Sequence, residues 1–132
     1  MGLTVELGRF PVVICRLTPD QGSGPLEGEC GSYLEEIAKH RGIFVCVHDW
    51  TSAGELGGEG WRMVYERLVL DQVLATRCVA QAIAVSSPSL RGFATASSMQ
   101  HRTPYPVRVA SSLETAISWC TWQLRRSEPQ AV

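Results

Sequence analysis

Ile43-Phe44-Val45-Cys46-Val47-His48, closed by Gly42 on one side and Asp49 on the other, is an almost unbroken apolar run. A strand that faces water on one side alternates polar with apolar residues, whereas one covered on both faces does not need to, so this run reads as a central strand with helices on either side. Upstream, Cys30, Tyr33, Leu34, Ile37 and Ala38 recur at helical spacing opposite Glu35, Glu36 and Lys39, which predicts an amphipathic helix over Glu29 to His40, ended by Gly42. Before it, Thr4 to Leu7 and Val12 to Leu17 flank the turn residues Gly8 to Pro11 and read as a hairpin, and Thr18 to Pro25 reads as a loop.

Downstream, Thr51 to Gly60 is glycine-rich and reads as a loop into a helix over Glu59 to Arg77. Ala80 to Val85 is the next strand. Ser87 before Pro88 is an N-cap followed by proline at the first helical position, which predicts a helix to about Met99. Val107 to Val109 is a short strand, and Ser111 with Glu114 stands at capping-box spacing before a helix whose apolar face is Leu113, Ala116, Ile117, Cys120 and Leu124. Strands alternating with helices after an opening hairpin predict one α/β domain over 1–132, with a mostly parallel sheet of about five strands and about four helices.

A formal charge of −1 offers no net field for a polyanion, so nucleic acid is not the expected partner. Met1 to Phe10 lacks the features of a secretory signal, and no stretch approaches the roughly twenty apolar residues of a membrane span, so a cytoplasmic protein without membrane insertion is expected. The cysteines at 15, 30, 46, 78 and 120 are odd in number and contain no C-x-x-C pair, which favours reduced, buried thiols over disulfides or zinc. No cofactor or metal is implied.

Ligands of open α/β sheets gather at the carboxyl ends of the strands, which singles out His48, Asp49, Thr51, Ser52 and, at the start of the helix after Pro88, Arg91. His48 and Asp49 have no spaced partners for an acid-base or metal pair and read first as satisfied polar groups at a strand end. The glycines at 54, 57, 58 and 60 match neither a P-loop nor G-x-G-x-x-G, and no G-x-S-x-G elbow is present, so no catalytic constellation emerges. The helix over Glu59 to Arg77 carries two apolar faces: Trp61, Val64, Tyr65 and Leu68 suit the sheet, while Met63, Leu70 and Leu74 form a second stripe, open either to a neighbouring element or to a partner. Trp122 stands opposite the apolar face of the last helix and joins Met63, Leu70 and Leu74 as a candidate partner-binding residue.

The order of elements, the segment Phe44 to Ser52, Ser87-Pro88-Ser89-Leu90-Arg91-Gly92, and Pro106-Val107-Arg108-Val109 with Leu113 to Trp119 together resemble the SpoIIAA-like, or STAS, family of small bacterial regulatory domains. The resemblance spans nearly the whole chain through diffuse motifs. It implies a non-enzymatic module that docks another protein or a second copy of itself, as an anti-sigma-factor antagonist does, in some members under control of a phosphorylated serine. The family's D-S-S-G-like phosphosite is not present as such: 55–60 contains no hydroxyl, and Thr51 and Ser52 are the hydroxyls nearby. The alternative expectation is a small-molecule binder or enzyme using the strand ends around His48 and Asp49.

Overall fold

A computed structural model describes residues 2–18, 33–52, 62, 65–70 and 76–127. The strands are β1 (Gly2–Glu6), β2 (Val12–Thr18), β3 (Phe44–Asp49), β4 (Cys78–Ala84) and β5 (Val107–Ala110). Helix α1 covers 33–38, a π-helical turn covers Tyr65–Val69, and α2 (Pro88–Gln100) and α3 (Leu113–Ser127) follow β4 and β5. The strands form one sheet in the order β1-β2-β3-β4-β5, antiparallel between β1 and β2 and parallel elsewhere. The α/β architecture with an opening hairpin is therefore the one anticipated.

Spatial order that follows chain order has a consequence for the helices. Right-handed crossovers that always step in the same direction across a parallel sheet all pass over the same face. Accordingly Tyr33 and Ile37 of α1, Tyr65 and Val69 of the π turn, and Ala94 of α2 are buried in one core with Val13, Cys15, Phe44, Cys46, Ile83 and Val85. The other face needs a cover that is not a crossover. The last helix supplies it: Ala116, Cys120 and Leu124 of α3 close a second core over Ile14, Val45, Val47, Ala80, Ala82, Ala84 and Ala110. All six residues of β3 are buried, which is why its sequence does not alternate.

A bulge arranges β4 for this double duty. Phe44 pairs with Cys78 and Val45 with Ala80, so Val79 is an extra residue and the side-chain alternation shifts by one. Cys78 therefore joins the first core while Ala80, Ala82 and Ala84 present a strip of methyl groups to α3. Ser87 caps α2 as expected, its Oγ accepting from the Leu90 N–H at 3.4 Å. For α3 the cap is Ser112 and not Ser111: the Thr115 N–H donates to Ser112 Oγ at 3.1 Å, and the helix begins at Leu113, one residue later than a Ser111 cap requires. The helix expected over Glu59 to Arg77 is described at 62 and at 65–69, where the Leu70 N–H reaching Tyr65 O at 3.2 Å marks π geometry; residues 53–60 and the remainder of that helix lie outside the described residues.

The alanine strip sets the approach of α3 to the sheet. Ala82→Leu should destabilise the fold by about 1–3 kcal/mol through overpacking, while the same change at exposed Thr95 should stay within about 0.5 kcal/mol, both read from urea midpoints.

Candidate functional site

At the carboxyl end of the sheet, Asp49 is 8% exposed and both of its oxygens are engaged. Oδ1 accepts the Thr51 N–H at 3.0 Å and the Thr51 hydroxyl at 2.5 Å, an Asx turn that bends the chain out of β3. Oδ2 lies 3.4 Å from Arg16 Nε, and Arg16 Nη1 in turn reaches Glu6 Oε2 at 3.2 Å. Register explains the pairing, since Arg16 sits beside Asp49 in the β2–β3 ladder and diagonal to Glu6, two residues along β1 from its direct partner Thr4. Ser86 Oγ donates to Thr51 O at 3.2 Å, tying this exit to the one before α2. Ser52 and Arg91 are exposed, with no ion pair or side-chain hydrogen bond among the described residues. Of the expected strand-end residues, the structure thus joins Asp49 to Thr51, and that pair serves the turn.

His48 points to the opposite face, into the first core, and is fully buried. Gln81 Nε2 donates to Val69 O at 3.0 Å, which turns Gln81 Oε1 toward His48 Nε2 at 2.5 Å. An amide oxygen can only accept, so Nε2 carries the imidazole proton and Nδ1 is the bare nitrogen, buried and without a hydrogen-bond partner among the described residues. Burial lowers the His48 pKa to about 4, against the smaller opposing effect of the Gln81 hydrogen bond. His48 and Asp49 are adjacent in sequence but act on different faces of the sheet, so they form no acid-base pair.

The thiols are likewise withdrawn from solvent. Cys15, Cys46, Cys78 and Cys120 are free and buried, as expected, and Cys30 lies outside the described residues. Cys46 Sγ lies 3.2 Å from Tyr33 Oη, and Cys120 donates to Cys46 O at 3.6 Å. A hydrogen bond with Cys46 and then burial push the Cys78 thiol far up, and burial raises that of Cys120. For Cys78 and Cys120 this opposes formation of a thiolate, the reactive form.

The π turn is held by its last carbonyl. Val69 O accepts from Gln81 Nε2 and from the Tyr105 hydroxyl, so β4 and the segment before β5 both clamp it. A groove of about 440 Å³ separates the turn from the carboxyl end of α2, with Tyr65, Phe93 and His101 on its walls, and a second of about 340 Å³ runs from Leu70 to Tyr105. Neither groove is lined by His48 or Asp49. Leu70 is half-buried and packs against the first core, so this member of the second apolar stripe leans on a neighbour; Met63 and Leu74 are outside the described residues.

Trp122 is where the sequence pattern places it, on the outer side of α3, and is 51% exposed. The Arg126 guanidinium carbon lies 4.6 Å from its ring centroid. One turn earlier, Trp119 is half-buried, packs on the second core, and carries Arg108 of β5 at 6.0 Å. Net charge concealed one further signal: residues 72–127 hold Arg77, Arg91, Arg102, Arg108, Arg125 and Arg126 against Glu114 alone, whereas the acidic residues concentrate before position 72. Counting charge by halves instead of over the whole chain would have found it.

Comparison of the chain with protein-family models, with curated proteins and with solved structures finds no match.

His48 makes stability depend on pH in a defined window. The unfolded histidine takes up its proton near pH 6.5 while the folded one resists until about pH 4, so the unfolded state binds more protons between these values. The contribution of neutral His48 is complete above pH 6.5 and is lost as pH falls toward 4, at about 1.4 kcal/mol per pH unit. Urea midpoints between pH 7.5 and 4.5 should fall along this slope in the wild type and more shallowly in His48→Asn; equal slopes would contradict the assignment.

Proposed function

We propose that this chain is a non-catalytic regulatory module that works by docking another protein, on the pattern of the STAS domains it resembles. The observation that carries the reading is Trp122, an indole half out in water on a helix that fills its core with Ala116, Cys120 and Leu124 and does not need it. Covering the exposed half of such a ring releases roughly 3 kcal/mol, enough for an interface anchor, and Arg126 stacked on it supplies the other residue type enriched at such anchors.

The state of the polar groups supports the same reading. His48 is neutral and sealed, Asp49 is spent on a turn and an ion pair, and the Cys78 and Cys120 thiols are held protonated. The opening antiparallel hairpin followed by parallel strands and intervening helices agrees with what the STAS resemblance implies. Thr51 has its hydroxyl on Asp49 and 55–60 holds none, so docking and not phosphorylation at a D-S-S-G-like site carries the regulation proposed here. A bacterial, cytoplasmic setting belongs to this proposal.

The pair Trp122→Ala and Arg126→Glu tests it. With chemical cross-linking in the native cells and light scattering of the pure protein, the double variant should lose the wild-type partner, or the wild-type dimer if the partner is a second copy, while its thermal midpoint stays within a few degrees. Cross-links and solution mass both unchanged would contradict the reading.

A further inference from the structure

The sheet ends at β5, and the hydrogen bonds of this strand show which of its groups are left over. Gln81 N donates to Pro106 O at 3.0 Å and Val85 N to Ala110 O at 3.0 Å, so residues 106, 108 and 110 face β4. In a parallel ladder the intervening residues turn their N–H and C=O the other way. Val107 and Val109 therefore direct their backbone groups to the open edge, an arrangement that accepts one more strand.

The surroundings of that edge specify the strand it would take. Arg108 stands on β5 itself, and Arg102 lies in the segment that leads into it. No Asp or Glu occurs in 72–113. Arg102, Arg108, Arg125 and Arg126 are exposed and have no carboxylate partner among the described residues. Side chains on a strand added beside β5 alternate between the two faces, and those on the α3 face would meet Arg108 lying over Trp119. That is a guanidinium spread on an indole, suited to a carboxylate above an apolar stem.

We infer that the β5 edge binds an extended acidic segment of a partner protein by strand addition, with a carboxylate on its α3 face paired to Arg108. This rests on the docking function proposed above and names the partner's chemistry and the edge it uses. Backbone hydrogen bonds supply affinity here, and charge supplies selection and salt dependence.

The test titrates the intact protein with a short peptide alternating glutamate with valine, following backbone amide resonances. Parallel titrations use its lysine counterpart, a glutamate–valine peptide with proline at alternate positions, and an oligothymidylate. The acidic peptide should shift the Val107 and Val109 amides saturably, the lysine and proline forms should not, and Arg108→Glu should weaken binding by at least about tenfold. Because Arg108 is exposed on an edge strand, Arg108→Ala serves as a second variant if the charge reversal disturbs folding. The inference is overturned if the Val107 and Val109 amides do not move, if the lysine peptide binds equally, or if the oligothymidylate alone binds. Should Arg108→Glu leave cellular cross-links intact while Trp122→Ala with Arg126→Glu abolishes them, docking stands and the β5 edge is wrong.

Discussion

Right-handed connection of consecutive parallel strands is the constraint from which the rest of this architecture follows. Stepping β2, β3, β4 and β5 in one direction stacks every crossover on the same face of the sheet. The opposite face would lie open if α3 did not turn back over it. The small residues of β4 suit this arrangement, since a single helix covers a sheet best when the strand beneath it is built of alanine. The bulge at Val79 brings those alanines to the α3 side without moving Cys78 out of the first core.

The same constraint distributes the polar groups. His48 and Asp49 follow one another at the end of β3, and the pleat sends them to opposite faces: one into the core under the π turn, the other to the ion pair that locks β1, β2 and β3 together. Asp and Glu are absent from 72–113, the stretch that carries β4, α2 and β5, so the arginines there have no acidic neighbour in the sequence.

Much of the fold was legible because it rests on local signals. The unbroken run of β3, the Ser87-Pro88 start of α2 and the apolar face of α3 each report a single element and its surroundings, and each was read correctly. The cap of α3 was misplaced by one residue because Ser111 and Ser112 are equivalent by composition and differ only in backbone conformation. Long-range pairings were not legible. Nothing near Gln81 or Tyr105 in the sequence indicates that both converge on the carbonyl of Val69, or that His48 would be fixed as one tautomer by an amide 33 residues away. Trp122 was found because exposure on a helix is periodic; the β5 edge was missed because edges depend on strand order, which periodicity does not contain.

Strand order is therefore the measurement that matters most. Nitroxides placed at Thr4→Cys and Arg108→Cys, in a Cys30→Ser background that leaves the buried thiols unlabelled, report the separation of β1 from β5 by double electron–electron resonance. Four inter-strand steps predict a backbone separation of about 19 Å, broadened by the reach of the labels. Absence of that distance, with strong dipolar broadening of the continuous-wave spectrum as given by labels on adjacent strands about 5 Å apart, would contradict the sequential sheet.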